Sequence, residues 1–267
     1  MKARPILAIV LRQIYLLRGS PVRLFPMISW VAIDIVLWGF ITRYLNSVSG
    51  NGMNFVPTLL GAVLLWDFCT RIMQGVTTAF LEDVWSRNFL NLFASPLSIA
   101  EYVTGLVLTS MLTSSLGLAV MLVLAVTVFG LQFFALGASL AVFLTVLFVF
   151  GITLGVFGSA IVLRLGPASE WLLWPLPAVL APFAAVFYPV ATLPAWMQWV
   201  ARVLPPSYVF EGMRSLLAGH AFPLGSLVQG AAIAVLLLLL AGLFYGRVYR
   251  HAVRNGLLAR YSAESAA

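Results

Sequence analysis

Charged side chains inside long apolar segments are the first residues of this sequence that point to function. Asp34 lies near the middle of one apolar segment, and Asp67 and Arg71 lie in the next. A spacing of four residues puts Asp67 and Arg71 on one face of a helix, where they can pair. Because the two segments would run antiparallel, we expect Asp34 at a similar depth. Charges within a membrane are costly and mark either a structural ion pair or a substrate-facing or gating site.

The residue types that catalysis and metal binding require are scarce. Lys2 is the only lysine, so the sequence lacks the phosphate-binding lysine of a P-loop. The two histidines, His220 and His251, are far apart, and Cys69 stands alone in an apolar run. We therefore predict no catalytic residue, no metal site and no cofactor bound by this chain. If ATP drives the protein, another chain must hydrolyse it.

The composition indicates the solvent around these residues. Of the 267 residues, 62% are hydrophobic and only 9% are charged, and the mean hydropathy is +1.05. Soluble domains carry about a quarter charged residues, so most of this chain must face lipid. The net charge of +7 is spread over the ends of apolar segments, as anionic lipid headgroups favour. We therefore expect contact with membrane lipid and none with nucleic acid.

The apolar pattern predicts an all-α polytopic membrane protein with a single transmembrane domain over 1–267. A spanning helix needs about 20 apolar residues, and six such segments follow one another: 22–45, 56–80, 102–128, 135–163, 169–188 and 225–246. Residues 4–18 mix arginines with aliphatic residues, which predicts an N-terminal interfacial helix. Between spans five and six, residues 189–217 form short apolar pieces separated by prolines, which predicts a re-entrant helical hairpin.

Orientation follows from the distribution of lysine and arginine. With the N-terminus inside, the cytoplasmic segments hold eleven of the fifteen basic residues, and the outer segments hold Arg43, Arg202 and Arg214. Basic residues favour the cytoplasmic side. We therefore predict a multi-pass protein of the bacterial cytoplasmic (inner) membrane with both termini inside, and 81–101 as a cytoplasmic loop.

Two further patterns concern helix packing. Gly151, Gly155 and Ser159 repeat every four residues, a spacing that lets another helix approach closely, within the bundle or between two copies. Trp38 and Trp66 lie deeper in their spans than the other tryptophans do. They are expected either to pack in the core or to line a path for an amphipathic substrate.

Two stretches resemble the permease subunits of ABC-2 type exporters. The first is FLEDVWSRNFLNLFASPLSIAEYVTG, 80–105, which is similar to the family's coupling segment, with its acidic start and Ser-Pro-Leu-Ser break. The second is FYPVATLPAWMQWVARVLPPSYVFEGMRSLL, 187–217, which is similar to the family's signature after the fifth span. It carries a Leu-Pro-x-Trp element, a Pro-Pro-x-Tyr break and a Glu-Gly-x-Arg close. The resemblance extends over the whole chain in length, span count and orientation.

The resemblance implies two functional regions. The loop would dock on a cytosolic ABC ATPase through its polar and aromatic side chains. These are Glu82, Asp83, Trp85, Arg87, Asn88, Phe89 and Phe93. The alternative is that the loop forms a helix exposed to solvent without a partner. The hairpin would cap the outer end of the transport path, with Glu211 and Arg214 paired. Its residues of interest are Pro194, Trp196, Pro205, Pro206, Tyr208, Glu211 and Arg214.

The resemblance also implies an exporter half, in which two permease copies, as a homodimer, join two ATPase subunits that carry ATP and Mg²⁺. Such a permease would move a lipid, glycolipid or drug-like amphipath. An ion-coupled secondary transporter is the alternative, with Asp34 and Asp67 as coupling carboxylates, although no repeated or interrupted spans are evident. A third hypothesis, a membrane-embedded enzyme, is disfavoured because the sequence shows no convincing set of catalytic residues.

Overall fold

The apolar segments of the sequence form helices in the computed structural model, which describes residues 2–19, 24–48, 56–86, 88–131 and 137–256. In these ranges the α-helices are α1 (Ala3–Gly19), α2 (Leu24–Val48), α3 (Gly61–Trp85), α4 (Phe89–Ala94), α5 (Ile99–Phe129), α6 (Ser139–Leu165), α7 (Leu176–Phe183), α8 (Ala195–Val203), α9 (Pro205–Leu217) and α10 (Leu224–Arg254). A π-helical turn, Val56–Leu60, leads into α3, and 3₁₀ turns at Pro167–Leu172 and Val190–Thr192 precede and follow α7.

Within the described residues, four helices are long and apolar enough to cross a membrane. They are α3 with its π-helical turn (Val56–Trp85), α5, α6 and α10, and they coincide with predicted spans two, three, four and six. The 25-residue helix α2 covers predicted span one but is not among these four. The total of six crossings stays a prediction.

Predicted span five is not one continuous helix, which corrects the expectation for 169–188. The segment divides into the 3₁₀ turn, a turn at Leu173–Pro175, and the eight-residue α7, which ends before Ala184. Pro175, Pro177 and Pro182 lie in this segment, and each lacks the backbone N–H that a helix interior needs. Hydrophobicity alone therefore overestimated the length of this helix.

The centre of the fold is α3, which packs mainly against α5 and α6, while α6 also packs against α10. Over the most apolar 18 residues of each helix, 61% are buried in α3 and 56% in α6, against 22% in both α5 and α10. The outer faces of α5 and α10 therefore remain apolar and exposed, for example at Leu116 and Leu239. Such faces suit contact with lipid or with a second membrane protein.

Glycines bring α6 unusually close to α3. A methyl group at Gly155 would lie 2.7 Å from Val76 Cβ, and one at Gly151 would lie 2.7 Å from the carbonyl oxygen of Cys69. Ser159 is buried on the same helix, and its hydroxyl donates to the Gly155 carbonyl at 2.8 Å. Gly151 and Gly155 therefore serve contact within the bundle.

This close approach predicts that Gly155→Ala destabilises the protein. The added methyl group overpacks the α3–α6 contact, and we expect the free energy of unfolding to fall by about 1–3 kcal/mol. The matched control is Gly246→Ala on α10, where a methyl group would meet nothing within 4 Å. Denaturant unfolding in detergent would measure both variants. A Gly155→Ala variant as stable as the control would contradict the prediction.

Helices α8 and α9 occupy the segment for which the sequence predicts a hairpin. They join at Leu204, and Pro205 and Pro206 begin α9, where a missing N–H costs no helical hydrogen bond. Helix α9 packs on α6 and α10, and α8 packs on α7 and α9. The hairpin is therefore part of the bundle, and its re-entry into a membrane stays a prediction.

Candidate functional site

Polar side chains follow one face of α3 over most of its length. Asp67, Arg71, Gln74, Thr78 and Glu82 recur every three or four residues, which covers about 22 Å at 1.5 Å per residue. From Arg71 to Glu82 this face lines a half-open cavity bounded by α1 and α5. Sequence reasoning treated the Asp67–Arg71 pair and Glu82 separately, although the spacing of Gln74 and Thr78 would have linked them.

Two of the three intramembrane charges predicted from the sequence form an ion pair on α3. Arg71 donates to both carboxylate oxygens of Asp67, with Nη2 3.2 Å from Oδ1, and a contact of this pair with Asp34 stays a prediction. The side chains of Arg71 and Asp67 are 11% and 14% exposed. Gly117 of α5 makes room for the guanidinium, because a methyl group there would lie 3.2 Å from Arg71 Cδ.

The cavity beside this polar face has a volume of about 330 Å³. Helix α1 contributes Gln13 and Leu17, and α5 contributes Thr109, Thr113 and Ser114. Helix α3 contributes polar groups and two small residues: Arg71, Gln74, Gly75, Thr78, Ala79 and Glu82. The walls of this half-open cavity thus carry hydroxyl, amide, guanidinium and carboxylate groups.

A second polar cluster joins α1 to the ends of α3 and α5. Asp83 is completely buried, pairs with Arg12 of α1, and accepts a 2.7 Å hydrogen bond from the Tyr102 hydroxyl. Burial lowers the pKa of the Arg12 guanidinium, and the nearby Glu82 carboxylate opposes that shift. Asp83 was expected to contact a partner, but its carboxylate is used inside the chain, so this expectation is corrected.

The start of α5 also helps to attach α1 to the bundle. Ser98 and Glu101 form a capping box, in which each side chain accepts a hydrogen bond from the other residue's backbone N–H. Glu101 Oε1 also accepts a 2.6 Å hydrogen bond from the backbone nitrogen of Lys2. The N-terminal helix is therefore held at its start, through Lys2, and at its middle, through Arg12.

The remaining residues of the predicted coupling segment have different environments. Trp85 is 52% exposed, and its Nε1 donates to Glu170 Oε2 at 2.9 Å. Phe89 is buried edge-on against Phe80 and Tyr102, so it anchors α4 and is not available to a partner. Glu82 and Asn88 are partly exposed. Arg87 and the side chain of Phe93 lie outside the described residues.

In the hairpin, Glu211 and Arg214 pair at 3.0 Å, as their spacing predicted. Arg214 also donates to the carbonyl oxygens of Ala185 and Val186, at 3.0 and 3.2 Å. Glu211 accepts from the backbone N–H of Val190 at 2.7 Å. The pair therefore satisfies the irregular backbone after α7, a need that the sequence did not reveal.

The other hairpin residues and the two deep tryptophans have mainly packing contacts. Pro194 precedes α8, Trp196 is 63% exposed, and the Tyr208 hydroxyl donates to the Arg202 carbonyl at 2.7 Å. Trp38 stacks on Phe187 with ring centroids 4.8 Å apart, and Trp66 lies 6.2 Å from Phe210. Neither tryptophan lines the cavity.

Comparison of the sequence with models of known protein families identifies the family of this chain. The family model described as ABC-2 type transporter matches residues 6–218. The chain belongs to the ABC-2 type transporter family. No curated protein matches it.

Membership gives the polar clusters a context. ABC-2 permeases are membrane components of transporters and are not themselves catalytic, and they generally partner with an ATP-binding subunit. In the described part of this ABC-2 chain, no three His, Cys, Asp or Glu side chains are grouped so that they could hold a metal ion. What the chain offers is a helix bundle with a polar face, a cavity and a short exposed segment around α4.

Proposed function

We propose that this ABC-2 chain is the permease subunit of an ATP-driven exporter of the bacterial cytoplasmic membrane. It moves an amphipathic substrate, a lipid, glycolipid or drug-like molecule, with ATP hydrolysed on separate subunits. Two copies of the chain, as a homodimer, join two ATPase subunits, and both termini lie in the cytoplasm. The exposed apolar faces of α5 and α10 leave room for lipid and for a second copy.

The observation that carries the proposal is that Phe89 anchors the start of α4 among the transmembrane helices. Phe89 packs into the core beside Tyr102, and Tyr102 in turn binds Asp83. A force on α4 would therefore act on the ends of α3 and α5 together, and on α1 through Arg12. Such an attachment is what an ATPase needs in order to move the polar face of α3.

Exposed Trp85 provides the test of this coupling. We expect Trp85→Ala to weaken association with the ATPase at least about tenfold, as loss of a tryptophan anchor does at interfaces. The permease would be co-expressed with a candidate ATPase, chosen by a Walker A lysine in a neighbouring gene, and co-purification and ATP-dependent transport in proteoliposomes measured. The control is Trp199→Ala, since Trp199 is 68% exposed on α8, far along the chain from α4.

Two results would overturn the proposal. One is equal co-purification and transport for Trp85→Ala and Trp199→Ala. The other is transport that continues without ATP and stops when a protonophore collapses the proton gradient, because that result would indicate an ion-coupled carrier.

A further inference from the structure

The half-open cavity between α1, α3 and α5 is lined by two buried side chains whose polar groups the chain leaves unused. Gln13 of α1 is 4% exposed and Ser114 of α5 is 2% exposed, and both line the cavity. Among the described residues, Gln13 Nε2 and Ser114 Oγ have no hydrogen-bond partner. A buried polar group without a partner is costly, so a ligand that forms a hydrogen bond with either group would gain affinity.

The hydrogen bonds already present on the wall define what such a ligand must supply. The hydroxyls of Thr109 and Thr113 donate to backbone carbonyls of α5, at 2.9 and 3.2 Å, so towards the cavity they can only accept. Gln13 Nε2, in contrast, can only donate. A ligand that satisfies both kinds of group must itself donate and accept. A hydroxyl group does both, whereas an anionic oxygen only accepts and an ammonium group only donates.

The two charged residues on the wall give no reason for a charged ligand. Arg71 is paired with Asp67. Glu82 interacts with other groups of the chain, and the charge of Arg12 is one of them. The buried groups that lack a partner on this wall, an amide and a hydroxyl, are both neutral. The unmet need of the cavity is therefore for uncharged hydrogen-bonding groups.

The size and opening of the cavity fit one end of an amphipathic molecule. Its volume of about 330 Å³ lies at the lower end of the range of roughly 300–1,000 Å³ for small-molecule pockets. Because the cavity is half open, a polar head group can enter while the apolar part of the molecule stays outside. Leu17 lines the cavity, and Ile14, one turn earlier on α1, is exposed, so both offer apolar surface to a hydrocarbon chain.

We propose that this cavity binds the uncharged, hydroxyl-bearing head group of an amphipathic molecule. A ligand oxygen accepts from Gln13 Nε2, and ligand hydroxyls donate to the oxygens of Ser114 and the two threonines. The glycerol head of a neutral lipid and the sugar head of an alkyl glycoside share this chemistry. The inference concerns binding by the chain alone and does not depend on coupling to an ATPase.

The test measures binding to the purified full-length chain in an amine-oxide detergent, which has no hydroxyl group, without ATPase. Native mass spectrometry would follow titration with four probes that share one octyl chain: octylglycerol, octyl glucoside, octyl sulfate and octyltrimethylammonium. We expect octylglycerol, octyl glucoside or both to bind at least about tenfold more tightly than either charged probe, the effect of about one additional hydrogen bond.

Two cavity variants and two matched controls locate the site. Gln13→Met removes the amide donor and Ser114→Ala removes the hydroxyl, and each should weaken binding of the hydroxyl-bearing probes about tenfold. The controls are Gln229→Met and Ser115→Ala, at exposed positions of α10 and α5, and these should bind as the unchanged chain does. Melting temperatures would show that each variant is folded, and Gln13→Met decides if Ser114→Ala is not.

Each outcome has a definite meaning. Tighter binding of octylglycerol alone supports a glycerol head group, tighter binding of octyl glucoside alone supports a sugar head group, and tighter binding of both supports the hydroxyl chemistry that they share. The proposal is overturned if a charged probe binds as tightly as the hydroxyl-bearing probes, or if the folded cavity variants bind like their controls.

Discussion

Replacing Arg12 with methionine is expected to lower the free energy of unfolding by about 3–5 kcal/mol, the usual effect of removing one partner of a buried ion pair. The Asp83 carboxylate is completely buried, so it would lose its cation without gaining access to water. The variant keeps the hydrogen bond from Tyr102, which cannot neutralise the charge. Helix α1 would also lose its link to α3, so amide exchange along α1 should become faster.

The reverse substitution should have a smaller effect. Asp83→Asn leaves the guanidinium of Arg12, which is 25% exposed and can turn towards water. The double variant Arg12→Met/Asp83→Asn should recover much of the stability lost in Arg12→Met, because no buried charge remains without its partner. These differences would be measured by denaturant unfolding in detergent.

The matched control for Arg12 lies on the same helix. Arg18 is exposed at the end of α1, so Arg18→Met should change the free energy of unfolding by no more than about 0.5 kcal/mol. If Arg12→Met is as stable as Arg18→Met, the Arg12–Asp83 pair does not hold α1 in place.

Local pairs could be predicted from the sequence, and distant pairs could not. The Asp67–Arg71 and Glu211–Arg214 contacts follow from spacings of four and three residues on one helix. The partners Arg12 and Asp83 are separated by 71 residues. The pattern around Arg12 indicated an interfacial helix, and Asp83 stood in a polar loop. Only the packing of α1 against α5 brings the arginine to the end of α3.

The same distinction applies to the helices themselves. Hydropathy located α3, α5, α6 and α10 because a long apolar run is sufficient to define each of them. It failed at 169–188, where the run is apolar but prolines remove backbone donors. Where such a break lies in a bundle, its carbonyl groups need side-chain partners, and hydropathy carries no information about which residue provides them. Here the partner is Arg214, 28 or 29 residues further along the chain.

Replacing Arg214 with methionine should therefore destabilise the segment after α7. The variant loses hydrogen bonds to the carbonyls of Ala185 and Val186, both completely buried. Each buried acceptor without its partner costs about 1–3 kcal/mol, so we expect the two to cost roughly 2–5 kcal/mol in total, since some carbonyl groups can relax. Ala185 also has a φ of 51°, a left-handed conformation that non-glycine residues disfavour and that the surrounding contacts must maintain.

Denaturant unfolding and limited proteolysis would measure this effect, with faster cleavage expected around 184–194. Arg214→Lys should restore only part of the stability, because an ammonium group cannot reproduce the fork of donors that binds two carbonyls and Glu211. The control is Arg202→Met on neighbouring α8, whose guanidinium is exposed and lies 4.5 Å from the Trp199 ring centroid. If Arg214→Met behaves like Arg202→Met, the break after α7 is held by packing alone, and the hydrogen bonds from Arg214 contribute little.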